Sequence, residues 1–181
     1  MNINEFTSQL EGQGARPSLF RVQFDNPVNA AGNLKVPFMV RAAQLPGSTL
    51  GNIDQPYMGR FVKIPGNRIF EEWTVTVVND EDFLIRNALE EWSNAINAHE
   101  RNVNLVQGGT PGLEKADGIV TQYNKAGLPI RRYRFVGMYP QIISPIDLDW
   151  GQLDTIEEYT VTFQYDYWKV DAGITGNAGG A

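Results

Sequence analysis

Residues 71–80, EEWTVTVVND, and residues 157–166, EEYTVTFQYD, are nearly the same strand written twice. Each reads Glu-Glu, an aromatic, Thr-Val-Thr, an apolar residue, two variable positions and Asp. Successive residues of a strand point to opposite faces. Trp73, Val75 and Val77 therefore oppose Thr74 and Thr76. In the second copy Tyr159, Val161, Phe163, Tyr165 and Tyr167 oppose Thr160, Thr162, Gln164 and Asp166. The apolar faces belong in a core, where each large side chain contributes roughly 1.5–3 kcal/mol on full burial. The opposite faces are less ordinary, because their centres carry Thr and Gln rather than the Lys and Glu that block edge pairing. We expect these strands to pair onward with another subunit; pairing within one domain is the alternative.

Outward from these two strands the pattern stays β. Residues 18–24 alternate, with Phe20, Val22 and Phe24 on one side and Arg21 and Gln23 on the other. Asn, Pro and Gly make 25–33 a turn region, and 34–45 returns as a second strand whose Pro37 suggests an edge or bulge. Segments 119–124 and 128–138 flank KAG and predict a hairpin. One helix is predicted after Asn79 or Asp80, which can cap it. Ile85, Ala88, Leu89, Trp92 and Ile96 form its buried stripe, and it should end near Ala98. The 181 residues suit one domain over 1–168, with an N-terminal arm at 1–17 and a flexible C-terminal tail at 169–181. Residues 46–69, punctuated by Pro and Gly, are expected as an extended loop, with GRFVKI as a possible strand inside it. Residues 102–118 form a second, Gly-rich loop, and 139–155 a Pro- and Gly-marked connection. The fold class is mainly β: an antiparallel sandwich or partial barrel with one packed α-helix.

Composition removes several function classes. Hydrophobic residues make up 42%, net charge is −6 and the pI is about 4.8. An acidic balance disfavours general nucleic-acid binding, since phosphate contacts need Lys and Arg. There is no cysteine, and His99 is the only histidine, so Cys/His zinc sites are excluded. No phosphate-binding loop or nucleophile-elbow motif occurs. Asp147, Asp149 and Glu158 sit at three calcium-loop spacings, but Gln152 stands where a Gly must turn, so an acidic turn is the better reading. The pairs Glu71–Glu72, Glu90–Glu91 and Glu157–Glu158 do not converge as a catalytic dyad would. No catalytic, metal or cofactor site is expected, and no cofactor. The N-terminus lacks the basic and apolar regions of a secretory signal, and no apolar run approaches a membrane span. The basic cluster Arg131, Arg132 and Arg134 splits between two faces. Its best use is pairing with acids on neighbouring strands or subunits.

ARPSLFRVQF, QLPG, YMGRFVKIPGNRIFEEWTVTVVNDED, the helix ending in EEW, LDW at 148–150 and DYW at 166–168 together resemble the tail tube protein of contractile-tailed bacteriophages. The resemblance spans about residues 15–168. It is most specific at Met58, Arg60, Gly66, Arg68, Phe70, Trp73, Val75, Val77, Asn79 and Asp80. NPVNAAGN and the Gly-rich tail depart from it.

The resemblance implies a structural virion protein. Six subunits would close into a ring whose inner wall is a shared β-barrel, and rings would stack into a tube that conducts DNA into the host cell. Implied partners are further copies of the chain, the tail sheath, baseplate and tail-terminator proteins, and genomic DNA passing without sequence-specific binding. The location would be the virion tail, assembled in the host cytoplasm. Phage-tail-like bacteriocins and secretion systems build related tubes. A one-ring baseplate or terminator homologue, and a carbohydrate-active enzyme on a β-sandwich, are the other readings. Within this frame Thr74, Thr76, Thr160, Thr162 and Gln164 are candidate lumen residues. Tyr57, Met58, Arg60, Phe61, Lys63, Arg68, Arg131, Arg132 and Arg134 are candidates for stacking or intersubunit contact.

Overall fold

The computed structural model describes residues 2–10, 14–101, 103–104 and 114–173. The two look-alike strands are β5 (Trp73–Val78) and β8 (Glu158–Gln164), and they pair with each other, antiparallel. Trp73 lies opposite Phe163, Val75 opposite Val161 and Val77 opposite Tyr159, all core-facing and buried. Thr74 lies opposite Thr162, and Thr76 opposite Thr160. An alternating motif repeated in antiparallel register matches the three core-facing apolar pairs and both Thr pairs, and only at the end does Val78 meet Glu158. This corrects the expectation that these strands pair onward with another subunit. Both are interior strands of the sheet and have no free edge to offer.

The sheet runs β1 (Phe20–Phe24), β6 (Ala116–Tyr123), β7 (Pro129–Ile143), β8, β5 and β2 (Val40–Ala43), with β9 (Tyr167–Gly173) also paired to β7. Strand β7 belongs to two wings. Its first half, Arg131 to Val136, lies between β6 and β9, and its second half, from Tyr139, pairs with β8. Gly137, at φ 69°, turns the strand between the halves, a conformation that costs a residue with Cβ. The wings close on one core. Trp73 stacks on Phe135 at 4.3 Å, and Phe24 of the first wing meets Phe163 of the second at 5.3 Å. The sandwich expected from alternation is thus present as an open, bent sheet.

Helix α3 (Leu84–Ile96) covers this core with Ile85, Ala88, Leu89 and Trp92. Asp80 is not its cap: the capping position is Phe83 at φ 50°, and Asp82 accepts the Leu84 N–H at 3.1 Å. Lys35 pairs with both Asp80 and Asp82, which fixes this entry turn.

Several boundaries differ from expectation. Residues 34–45 open as a short helix, α2 (Val36–Met39), before β2; Pro37 sits in its first turn, where a missing N–H costs nothing. The arm carries a seven-residue helix, α1 (Ile3–Gln9). Residues 46–69 are not an extended loop but a hairpin, β3 (Thr49–Tyr57) and β4 (Arg60–Ile69). Residues 169–173, expected as flexible tail, complete β9. The Gly-rich stretch 105–113 and the tail 174–181 lie outside the described residues.

Candidate functional site

The β3–β4 hairpin is a two-stranded sheet separate from the main one. Its turn, Tyr57-Met58-Gly59-Arg60, has positive φ at both central residues, 44° and 80°. That is the mirror-image turn whose twist suits a tight hairpin. Cross-strand partners share a face. Ile53 with Ile64, Gln55 with Val62 and Tyr57 with Arg60 make one side; Asp54 with Lys63 and Pro56 with Phe61 make the other. Almost every residue is exposed, including Ile53, Tyr57, Phe61, Val62 and Ile64, and Met58 at 88%.

The base of the hairpin is anchored. The Trp73 indole donates to the Gln44 carbonyl at 2.9 Å and the Trp168 indole to the Gly47 carbonyl at 3.0 Å. Phe70 packs on Tyr165 and Trp168. The domain thus holds the root firmly and leaves the arm bare.

A second bare surface is the 145–157 loop between β7 and β8. Asp149 accepts the Gly151 N–H at 2.9 Å, forming a turn that presents Trp150, which is 99% exposed. Leu148, Leu153 and Ile156 are exposed beside it. Sequence reasoning missed these four. Their apolar side chains follow no strand or helix period; Leu148 and Trp150 stood out only within the LDW stretch of the resemblance, and Leu153 and Ile156 only by lying in an acidic Pro- and Gly-marked connection.

The Thr face lies on the side of β5 and β8 away from the core. The Thr74 and Thr162 hydroxyls are 3.1 Å apart, Thr162 being buried, and Gln164 donates to Gln141 at 2.9 Å. Thr160 is exposed and Thr76 half-buried. Arg41 of β2 pairs with Glu158 beside this face.

The three arginines are not one site. Arg134 pairs within the chain, with Asp171 at 2.9 Å and Asp117 at 3.7 Å. Arg131 lies over the Tyr133 ring at 5.2 Å. The Nε atoms of Arg131, Arg132 and Arg134 are buried without a hydrogen-bond partner. In the hairpin Arg68 donates to Ser48 at 2.8 Å, while Arg60 and Lys63 make no ion pair among the described residues.

The carboxylates do not converge. Glu90 pairs with Arg86, Glu91 accepts from Asn87 and Asn29, Glu157 from Asn79, and Glu158 binds Arg41. Among the described residues no group of three His, Asp or Glu is placed to hold a metal.

Residues 15–171 match the family model described as phage tail tube protein. The chain belongs to the phage tail tube protein family. It is 31% identical to the tail tube protein gp19 of Enterobacteria phage T4 over 171 residues, covering 93% of this chain and 100% of that one. Its fold is similar to the tube-terminating cap of the anti-feeding prophage, with a TM-score of 0.64 at 18% identity, over 88% of this chain and 91% of that one. It is also similar to a chain in the sheath–tube complex of the extracellular contractile injection system PVC, with a TM-score of 0.57 at 13% identity over 95% and 99% of the two chains. The tail tube family is structural, not enzymatic. The exposed hairpin, the Trp150 loop and the Thr face are the surfaces of interest.

Proposed function

We propose that this tail tube protein assembles as hexameric rings that stack into the inner tube of a contractile tail and conduct DNA to the host. The single observation carrying this reading is the β3–β4 hairpin, fully formed yet almost wholly exposed. A lone two-stranded hairpin is marginal in water, so a long one with apolar residues on both sides needs a partner surface to bury them.

The sheet edges support the same reading. The Thr-faced wing runs β7, β8, β5, β2, each strand antiparallel to the next. Strand β2 pairs only with β5, and beyond Tyr139 strand β7 pairs only with β8, among the described residues. Placing β2 of one copy against this part of β7 in the next keeps the alternation. Such a contact is head-to-tail and closes when the rotation closes, which removes both edges. Six copies of four strands then line one barrel, with Thr74, Thr76, Thr160, Thr162 and Gln164 toward the bore. A largely uncharged wall does not grip a duplex that carries one charge per ~1.7 Å of its axis. The sheath, baseplate and terminator proteins are the further partners of such a tube, and the α1 arm a further stacking element.

The test is assembly of the full chain. The hairpin is replaced by a short Gly-Ser link between Gly47 and Phe70, which spares both indole anchors. The expected product is soluble subunits or single rings by size-exclusion chromatography, with no tubes in negative-stain micrographs under conditions where the full chain forms them. Long tubes from the shortened chain would overturn the role given to the hairpin.

A further inference from the structure

Two bare protrusions of this chain are complementary. The 145–157 loop carries Asp147, Asp149, Asp154 and Glu157 and no cation. It rims an open depression of about 590 Å³ lined by Ile146, Leu148, Trp150 and Ile156 with Asp147, Asp149, Glu157 and the Arg41-paired Glu158, while Asp154 stands on the loop next to this lining. The hairpin is the opposite in shape and sign. It is convex, its tip is Tyr57, Met58 and Phe61, and it carries Arg60, Lys63 and Arg68 against Asp54 alone. Each surface exposes large apolar side chains that water penalises. Exposed Trp, Tyr and Arg are the residue types that anchor interfaces.

We propose that the hairpin tip of one subunit seats in the acidic, Trp150-rimmed depression of a second copy. Met58 and Phe61 fill the depression against Trp150 and Leu148, while Arg60 and Lys63 face Asp147 in its lining and Asp154 on the loop beside it. A nine-residue strand spans roughly 30 Å, enough to reach from one copy to another. The contact is heterologous: every copy offers one tip and one depression, so it repeats without limit. Opposite charge sets the docking register and excludes tip-to-tip contact, which would oppose like charges. The inference rests on the tube reading above and adds the identity of the receiving surface.

The test is a charge exchange. Arg60→Glu with Lys63→Glu should raise the protein concentration needed for tube formation by about tenfold or more. Asp147→Lys with Asp154→Lys should do the same, and Asp149 is left alone because it holds the loop turn. A chain with all four changes should polymerise near the wild-type concentration. Thermal transitions show that each variant is folded. In parallel, Met58→Cys with Gln152→Cys, in a chain that has no cysteine of its own, should give a ladder of covalent multimers with a short bismaleimide; either change alone should give at most dimers. If wild type forms tubes but the fourfold variant does not recover and no ladder appears, the pairing of tip with depression is wrong and the tube reading stands. If wild type forms no tubes at all, both fall.

Discussion

Met58 holds a left-handed conformation at the most exposed point of the hairpin, where its side chain touches little of its own subunit. A residue with Cβ pays about 1–2 kcal/mol there, and Asn-Gly is the usual pair for such a turn. Strain at an exposed tip is accounted for by a contact the side chain makes elsewhere. Met58→Asn should therefore leave the thermal midpoint equal or slightly higher and yet raise the concentration needed for tubes; both follow from one sample by melting and by pelleting. Tyr159 presents the opposite case. Its hydroxyl is buried without a partner. Burial pushes the phenol well above its ordinary value, with the Arg86 guanidinium, 5.1 Å over the ring, drawing it partly back and Glu90 adding to the rise. Burial raises Tyr165 as well. A group raised in the folded state binds its proton more tightly there, so its contribution is whole below pH 10 and lost as pH climbs beyond it. Urea midpoints should fall steeply above pH 10. Tyr159→Phe should reduce that slope and, at pH 7, be neutral or stabilising by up to about 1 kcal/mol, since it removes an unsatisfied group.

At the scale of elements, β7 decides the architecture, and its pivot is Gly137. A Cβ at this position would stand 2.1 Å from the Asp166 carboxylate, which Lys115 holds at 2.7 Å. Gly137→Ala should cost about 1–2 kcal/mol from the backbone alone, and more if the ion pair must break. Chemical denaturation of the single variant reads the sum, and Gly137→Ala with Asp166→Ala separates the two causes. Elements were unequally legible in the sequence. The α3 stripe was plain because its period is regular, and the β6–β7 pair because two β-like runs flank the KAG turn. The hairpin was hidden by Pro56, Pro65 and three glycines, residues that ordinarily break strands. They are tolerated here because the hairpin has only two strands, both of them edges. The α3 entry misled for another reason: Asp80 and Asp82 look like caps, but Lys35, 45 residues earlier than Asp80, holds both.

At the scale of the molecule, the core could be read from alternation at Trp73, Val75, Val161 and Phe163, since burial of one face leaves a period. Of the surfaces proposed for assembly, the hairpin residues were named only through the family resemblance, and the Trp150 loop was not named as a contact surface at all. Trp150 lies in no periodic element, and a side chain meant for another copy leaves no pattern inside its own. The pairing of β5 with β8 was likewise invisible, because register between two motifs that start 86 residues apart is set by tertiary packing. Their likeness suggested two docking edges and proved to be one self-matched seam.

Strand β7 has a mechanical consequence. A single covalent strand runs from one wing into the other, so the two layers cannot slide past each other without tearing its hydrogen bonds on both sides. Each subunit should behave as a stiff brick, so that in the proposed tube any bending falls on the contacts between copies.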